Sequence, residues 1–473
     1  MDAITHWNDA AQEADRVTHT TGDPREGGSR GPAGSSRAYA MVHLAMHDAY
    51  FSINPAPTGT YLAGLPVPPP GASDEAAIAA AAHATLSALY PAQKAYFDAH
   101  HAAAGLSGPG LYEGHAHGLS VAGAILDARK GDPTTSDDGH AASIARGAHR
   151  PDPDNPAQGF HAPNYGARAA CFAVNARHTL NAPPPIGSLE YNDALVEVKA
   201  KGIRPELLGT IPPGAGRTPD ETVIGLFWGY DGAKGLGTPP RFYNQIVRRI
   251  ADAQGNTIDQ NARLFALVNA AMGDAGILAW DDKYRHDLWR PVVGIREHDP
   301  SMGPTGVAGN VLDADCDPSW LPLGAPKTNE PGKKNFTPPF PAYPSGHATF
   351  GAAALHSARC HYGVTADGPD TLADGLSFVS EELNGANTDN LGAVRPRHVR
   401  EFPDGLWQMM EENGRSRVYL GVHWVFDAFV RDPGTGGMDI NQNVGGVPLG
   451  LAIANDLAAN GLVQANAAGP RIV

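Results

Sequence analysis

The segment FPAYPSGHATFGAAAL, residues 340–355, joins a proline-rich stretch to a run of mostly apolar residues. The run predicts a buried helix that begins near Ser345. The first turn of a helix leaves backbone N–H groups without intrahelical partners and carries partial positive charge. Ser345 adds a hydroxyl group, Gly346 permits close approach of a ligand, and His347 titrates near neutral pH. The segment therefore predicts either a plain helix cap or an anion site.

The composition is that of a large globular protein. The chain has 473 residues, of which 42% are hydrophobic, enough for a substantial core. The formal net charge is −15, and no stripe of lysine and arginine is visible, which argues against nucleic-acid binding. The 56 glycines and 41 prolines predict long ordered loops. The three cysteines allow at most one intrachain disulfide.

The N-terminal segment, residues 1–17, has neither a basic region nor an apolar core, so no secretory signal is predicted. No apolar run approaches the length of a membrane span. We therefore expect a soluble protein without a membrane span, either cytoplasmic or exported by another route. The compartment itself stays open.

Helical periodicity alternates with proline- and glycine-rich loops along most of the chain. No series of strands with alternating apolar and polar residues is visible, and no internal repeat. We therefore predict a mainly α fold of packed helical bundles with long loops. The predicted helices span residues 36–53, 74–90, 113–130, 219–230, 240–254, 261–290, 345–361, 404–430 and 445–460.

Lys283 and Arg290 lie seven residues apart on the longest predicted helix, residues 261–290. At about 100° per residue they would share one face, separated by roughly 10 Å along the helix axis. Two cations on one face can hold an oxyanion, whereas the alternative is a solvated basic face. The neighbouring Trp280 and Trp289 favour an anion site, because a cation among apolar residues needs an anionic partner.

The third segment is SRVYLGVHWVFD, residues 416–427, in which Arg417 precedes His423 in an apolar run. His423 and Asp427 are four residues apart, so they would face each other on one turn of the predicted helix. A carboxylate on one imidazole nitrogen fixes the tautomer and raises the basicity of the other. That arrangement is typical of a ligating or nucleophilic histidine, although a lone histidine in an apolar helix is more often a core residue.

Taken in order, the segments read Lys-x6-Arg-Pro, Pro-Ser-Gly-His and Ser-Arg-x5-His within residues 283–423. This pattern resembles the superfamily that joins vanadium-dependent haloperoxidases with type 2 phosphatidic acid phosphatases and bacterial non-specific acid phosphatases. All three blocks match without a substitution. Weaker similarity to bacterial haloperoxidases covers most of the chain, as in RAYAMVHLAMHDAYFSI at 37–53, PDPDNPAQGFHAPNYG at 151–166 and the segment 227–246.

The resemblance implies two halves that are each like a four-helix bundle, in one haloperoxidase-like domain over residues 1–473. Its oxyanion site would lie in a core at residues 261–430. The oxyanion, vanadate or phosphate, would be bound by Lys283, Arg290, Ser345, the N–H of Gly346, and Arg417.

The resemblance also assigns the reactive roles. His423 would be the axial ligand of vanadium(V) or, in a phosphatase, the nucleophile. His347 would be the acid–base residue, and Lys283 would polarise the peroxide. Trp280 and Phe340 look like the aromatic residues that line the halide side in the chloroperoxidase type. Asp427 would support His423, and the acid that supports Arg417 stays open among Asp231, Asp274 and Asp287.

The function that the resemblance implies is that of a vanadium-dependent haloperoxidase. With vanadate as cofactor, it would use hydrogen peroxide to oxidise bromide, chloride or iodide to hypohalous acid, which halogenates a small organic acceptor. A homo-oligomer is an expected assembly. The alternative is a soluble acid phosphatase that forms a phosphohistidine in the same pocket. A non-catalytic phosphate- or vanadate-binding protein is a third hypothesis, which His347 disfavours because mere anion binding needs no acid–base group.

Overall fold

The computed structural model describes residues 2–28, 30–137, 139–465 and 469–471. Helices dominate this part of the chain, which confirms the predicted mainly α fold. The helices are α1 Ala3–Thr18, α2 Gly31–Ile53, α3 Asp74–Leu89, α4 Lys94–Ala103, α5 Leu111–Ala128, α6 Tyr165–Arg168, α7 Leu189–Lys201, α8 Pro219–Phe227, α9 Pro239–Gln254, α10 Ile258–His286, α11 Pro291–Arg296, α12 Gly346–His361, α13 Gly405–Tyr419 and α14 Gly446–Asn460. Two short antiparallel strand pairs also occur, β1 Ser377–Phe378 with β2 Arg400–Glu401 and β3 Val430–Arg431 with β4 Met438–Asp439.

The helices pack in two groups. In the first, α2, α3 and α5 pack on one another, and α1 and α4 lie against α3. In the second, α10, α12 and α14 pack together, and α13 lies against α12. Contact between α2 and α10 joins the two groups and buries the apolar faces of both.

Helix α10 lies in the centre of the core. By length and composition it is apolar enough to cross a membrane, which corrects the expectation that no run has that length. However, 94% of its most apolar 18-residue stretch is buried inside the protein, where α10 packs against α2, α12 and α14. Its hydropathy is therefore that of a core helix, surrounded by protein on all sides.

The predicted helix over residues 261–290 is wrong at its C-terminal end. Helix α10 ends at His286 because Asp287 adopts a left-handed backbone conformation, with a φ of 49°. Arg290 instead precedes the first residue of the short helix α11. Lys283 and Arg290 therefore do not share a helix face.

The predicted helix over residues 404–430 is also too long. Helix α13 ends at Tyr419, and Gly421 follows with a φ of 72°. A Cβ atom on Gly421 would lie 2.4 Å from the carbonyl oxygen of Gly202, so only glycine fits this turn. His423 therefore lies in an irregular turn, and Asp427 ends a single turn of 3₁₀-helix.

The other predicted helices are present with slightly different ends, and helices α1, α4, α6, α7 and α11 lie outside the predicted spans. The start signals of α1 and α7 are nevertheless in the sequence. Asp2 and Thr5 form a capping box at α1, and Ser188 accepts a hydrogen bond from a backbone N–H of α7. All three cysteines are free thiols.

Candidate active site

The three sequence segments meet at one cavity of about 260 Å³. It lies where the C-terminal end of α10, the start of α12 and the turn after α13 come together. The predicted site residues that line it are Trp280, Phe340, Gly346, His347, Arg417 and His423. Lys283, Arg290 and Ser345 are fully buried and contact this lining.

The start of α12 supplies the helix N-terminus that the sequence predicts. Ser345 is the N-cap, and its hydroxyl accepts a hydrogen bond from the N–H of Ala348 at 3.4 Å. Its own N–H donates to the carbonyl of Asp427 at 2.7 Å, which ties α12 to the turn after α13. A Cβ atom on Gly346 would lie 3.3 Å from the Trp280 ring, so glycine leaves room there.

Lys283 is a buried cation whose hydrogen bonds all go to the backbone. Its ammonium donates to the carbonyl oxygens of Pro341 at 2.9 Å, Ala342 at 3.1 Å and Pro344. An ammonium has three N–H donors, so these carbonyls take all of them. Burial, and then the nearby Arg290, hold the pKa of Lys283 well below its usual value. Lys283 therefore fixes the proline-rich loop before α12 and places positive charge beside the cavity.

Arg290 connects the proline-rich loop to the turn that carries His423. Its Nε donates to the carbonyl of Phe340 at 2.8 Å, and its Nη1 donates to the carbonyl of Val422 at 2.7 Å. Nη1 also lies 2.8 Å from Nε2 of His423. Its Nη2 is buried and has no hydrogen-bond partner among the described residues. Burial lowers the pKa of Arg290 to about 9.

Arg417 is paired with Asp231, which selects this acid from the three candidates. Nη2 of Arg417 donates to both carboxylate oxygens of Asp231 at 2.9 Å. Asp274 instead accepts backbone N–H groups of residues 172–174, and Asp287 ends α10. The Nε and Nη1 of Arg417 are buried without partners within the described part of the chain.

His423 is held in one tautomer. Arg290 can only donate, so Nε2 of His423 carries the lone pair and Nδ1 carries the proton. That Nδ1–H donates to Oδ2 of Asp427 at 2.8 Å, as the spacing predicts, although in a turn and not in an α-helix. Burial, and then Arg290 and Lys283, hold the pKa of His423 well below its usual value. Burial raises the pKa of Asp427 to about 7.

His347, in the first turn of α12, is held in the tautomer opposite to that of His423. Its Nε2 lies 2.7 Å from the carbonyl oxygen of Gly229, which can only accept. Nε2 therefore carries the proton, and Nδ1 carries a free lone pair. Burial, and then the charge of Arg417, lower the pKa of His347 to about 4. At neutral pH, His347 is thus a neutral base.

Aromatic rings form the remaining wall. The ring centroids of Trp280 and Phe340 are 4.9 Å apart. Lys283 Nζ and Arg290 Cζ each lie 5.0 Å from the centroid of Phe340, so two cations interact with that ring. The cavity therefore has a cationic side and an aromatic side.

The arrangement leaves buried positive charge incompletely compensated. Three guanidinium nitrogens, from Arg290 and Arg417, have no partner among the described residues. A buried donor without a partner is unfavourable, and a buried cation needs an anion. A tetrahedral oxyanion would satisfy these donors and lower the repulsion among the cations. The lone pair on Nε2 of His423 lies beside these donors and is suited to bind a metal centre.

Other residues that line the cavity lie outside the predicted set. They are His19, Arg30, His161, Phe336, Phe350 and several proline and glycine residues. His161 falls in the segment 151–166, whose similarity to haloperoxidases gave no residue role. Its place in the cavity depends on contacts between distant segments, so its local sequence contains no signal for it.

Comparison with known proteins shows the family of the chain. The chain matches the family model of the vanadium chloroperoxidase N-terminal domain over residues 1–106, and that of the second helical-bundle domain over residues 263–434. It is 36% identical to vanadium chloroperoxidase from Curvularia inaequalis, and the match covers 97% of this chain and 90% of that protein. The chain belongs to the vanadium chloroperoxidase family.

Solved structures of similar proteins share the fold of this family member. A bacterial vanadium-dependent iodoperoxidase superposes with a TM-score of 0.63 over 97% of each chain, at 19% identity. An apo-type bacterial vanadium-dependent chloroperoxidase superposes with a TM-score of 0.62 over 92% of this chain and 96% of its own, at 16% identity. At these identities the likeness concerns the fold alone.

Proposed function

We propose that the protein is a vanadate-dependent haloperoxidase, in which hydrogen peroxide, a halide ion and a proton give hypohalous acid and water. The observation that carries this proposal is the buried set of unpartnered guanidinium N–H groups beside Nε2 of His423. Membership of the vanadium chloroperoxidase family supports it. The oxyanion site would occupy a core at residues 261–430 of a single domain.

The residues around the cavity fit vanadate. Arg290 through Nη2, and Arg417 through Nε and Nη1, would bind its oxygens by charge-assisted hydrogen bonds. Ser345 and the N–H of Gly346 would add donors at the start of α12. Lys283 would contribute mainly by its charge, because carbonyl oxygens already take its N–H donors. When bound, vanadate supplies a Lewis-acidic centre that activates hydrogen peroxide without a change in oxidation state.

His423 would be the ligand of vanadium through Nε2. In this structure the lone pair of Nε2 accepts a hydrogen bond from Nη1 of Arg290. A metal at Nε2 would replace that hydrogen bond and release the Arg290 N–H for an oxygen of the anion. Asp427 would keep the proton on Nδ1 and raise the basicity of Nε2.

His347 would accept and return the protons of the reaction at Nδ1. Its Nε2–H is held by the carbonyl of Gly229, so Nδ1 is the free basic nitrogen. A bound anion would offset the charge of Arg417, the second cause of the shift after burial, and would raise the pKa of His347. The anion would thereby favour transfer of a proton to Nδ1.

The aromatic side of the cavity would receive the halide. Trp280 and Phe340 offer apolar surface to the halide. A weakly hydrated ion gives up little hydration free energy when it leaves water for such a surface. We propose chloride and bromide as substrates, with iodide as the most easily oxidised ion. The hypohalous acid would then halogenate a small organic acceptor.

The experiment that tests this function is a halogenation assay on purified protein stripped of metals. An organic acceptor is supplied with hydrogen peroxide and with chloride, bromide or iodide in turn, each with and without orthovanadate. Turnover that depends on vanadate is the expected result. No turnover with any halide, together with hydrolysis of a phosphoester that vanadate inhibits, would show a phosphatase that uses His423 as nucleophile.

A further inference from the structure

His161 is a third imidazole in the lining of the catalytic cavity. Its ring lies edge-on to Trp280, with centroids 5.8 Å apart, and 6.1 Å from the centroid of Phe340. Its Nε2 is buried without a hydrogen-bond partner in the described part of the chain. No hydrogen bond to Nδ1 is formed within that part either. The reaction described above gives this side chain no role.

The backbone of His161 is fixed against the same aromatic wall. Its N–H donates to the carbonyl of Pro339 at 2.8 Å. Its carbonyl accepts from Nε1 of Trp280 at 3.1 Å and from the hydroxyl of Tyr284 at 2.8 Å. The position of His161 is therefore coupled directly to Trp280, the residue expected on the halide side.

Gly31 closes one edge of the His161 ring. A Cβ atom on Gly31 would lie 2.5 Å from Cε1, 2.7 Å from Nε2 and 3.1 Å from Nδ1 of His161, and Gly31 has a φ of 76°. Nε2 is buried, whereas Nδ1 is not among the buried atoms without a partner, so Nδ1 is the nitrogen that a ligand in the cavity would approach. A neutral imidazole has one N–H and one lone pair, and burial lowers the pKa of His161 to about 4. The ring therefore offers one N–H donor to a ligand at neutral pH.

The surroundings indicate which ligand this donor suits. Lys283 and Arg290 interact with the ring of Phe340 and reduce the negative potential near it. A small, weakly hydrated anion beside Trp280 and Phe340 would contact apolar surface, lie near positive charge and accept a single hydrogen bond from His161. An oxyanion needs several donors and is better served by Arg290 and Arg417.

We propose that the Nδ1–H of His161 donates a hydrogen bond to the halide ion against the wall formed by Trp280 and Phe340, which makes His161 a residue that determines halide affinity. This inference rests on the proposed function. It predicts that loss of the N–H weakens halide binding and leaves the binding of vanadate unchanged, because, among the described residues, no hydrogen bond or ring contact joins the His161 side chain to Arg290, Arg417 or His423.

The test compares His161→Leu with His161→Asn. The two replacements have nearly the same shape, but only asparagine retains an N–H donor close to the position of Nδ1. His140→Leu is the matched control, because His140 packs on Phe160 and Tyr284 without lining the cavity. Three quantities are measured: the KM for bromide, the broadening of the bromide NMR line by the protein, and the Kd of orthovanadate.

We expect His161→Leu to raise the KM for bromide roughly tenfold and to remove most of the line broadening. His161→Asn and His140→Leu should stay within about threefold of the parent. An unchanged KM and line width in His161→Leu, or equal losses in the leucine and asparagine variants, would overturn the role of the N–H. Absence of vanadate-dependent turnover in the parent would instead overturn the proposed function.

Discussion

Lys283, at the end of α10, and Arg417, at the end of α13, are both fully buried cations beside one cavity, yet they use their N–H groups differently. Lys283 donates all of its N–H groups to backbone carbonyls. Arg417 binds Asp231 through Nη2 and leaves Nε and Nη1 without partners among the described residues. Equal charge therefore does not mean equal capacity to bind an anion. Lysine organises the loop before α12, and arginine keeps directed donors for a ligand.

The largest expected effect concerns His347, which in the proposed function would exchange protons without binding the anion. His347→Ala should lower halogenation turnover by about 10² to 10⁴, the usual contribution of a general acid–base group. The Kd of orthovanadate should change little, because the directed donors stay in place. Parallel assays of turnover and of vanadate binding check this. Full turnover in the variant would remove His347 from the reaction.

The difference between Lys283 and Arg417 is tested directly by neutralising each cation in turn. Arg417→Met should weaken orthovanadate binding by about 100-fold or more, because two hydrogen bonds to a charged group are lost. Lys283→Met should weaken it only about tenfold, through loss of charge. Isothermal titration of both variants with orthovanadate gives the two Kd values and their ratio.

Arg417→Lys serves as the control for this pair, because it keeps the charge and loses the planar fork. Its affinity should fall between those of the parent and Arg417→Met. Equal losses in Lys283→Met and Arg417→Met would mean that charge alone holds the anion, and the distinction between the two cations would be wrong.

A smaller effect is expected at Asp427, which would act on the proposed anion through its hydrogen bond to His423. Asp427→Asn keeps the shape of the side chain, but it removes the negative charge that stabilises the Nδ1–H of His423. We expect a loss in vanadate affinity of about tenfold to 30-fold, as for other groups that orient a ligating histidine. Titration with orthovanadate measures this loss, and Asp456→Asn, beside His178 and outside the cavity lining, is the control. Parental affinity in Asp427→Asn would contradict the role of the pair.

The smallest effect is expected on the aromatic side. Phe340→His should change the ratio of the kcat/KM values for chloride and bromide by a few-fold in favour of bromide, since it exchanges apolar surface for a polar ring. The measurement is steady-state halogenation with each halide under otherwise identical conditions. An unchanged ratio would show that Phe340 does not set halide preference.

The sequence predicts the parts of this site that depend on local signals. The start of α12 at Ser345 follows from the cap residue and the apolar run after it. The pair of His423 and Asp427 follows from spacing, although the turn that forms it is irregular. The three motif blocks predict which segments form the site. They also predict a haloperoxidase-like protein, and the family comparison supports that prediction.

Other features depend on contacts between distant segments and could not be predicted. The left-handed Asp287 ends α10 without a glycine or proline at that position, so periodicity places the end too late. The turn at Gly421 is imposed by the backbone of Gly202, more than 200 positions away. The carbonyls that bind Lys283 and the choice of Asp231 for Arg417 arise only when the loops are packed.

The role of His423 as the vanadate ligand is tested by titrating the metal-free protein with orthovanadate, for the parent and for His423→Ala. We expect one vanadate per chain in the parent. This role of His423 predicts a loss of more than about 100-fold in the variant, because the proposed vanadium ligand is removed while the cations stay. Parental affinity in His423→Ala would contradict it, since the anion would then be held without the histidine.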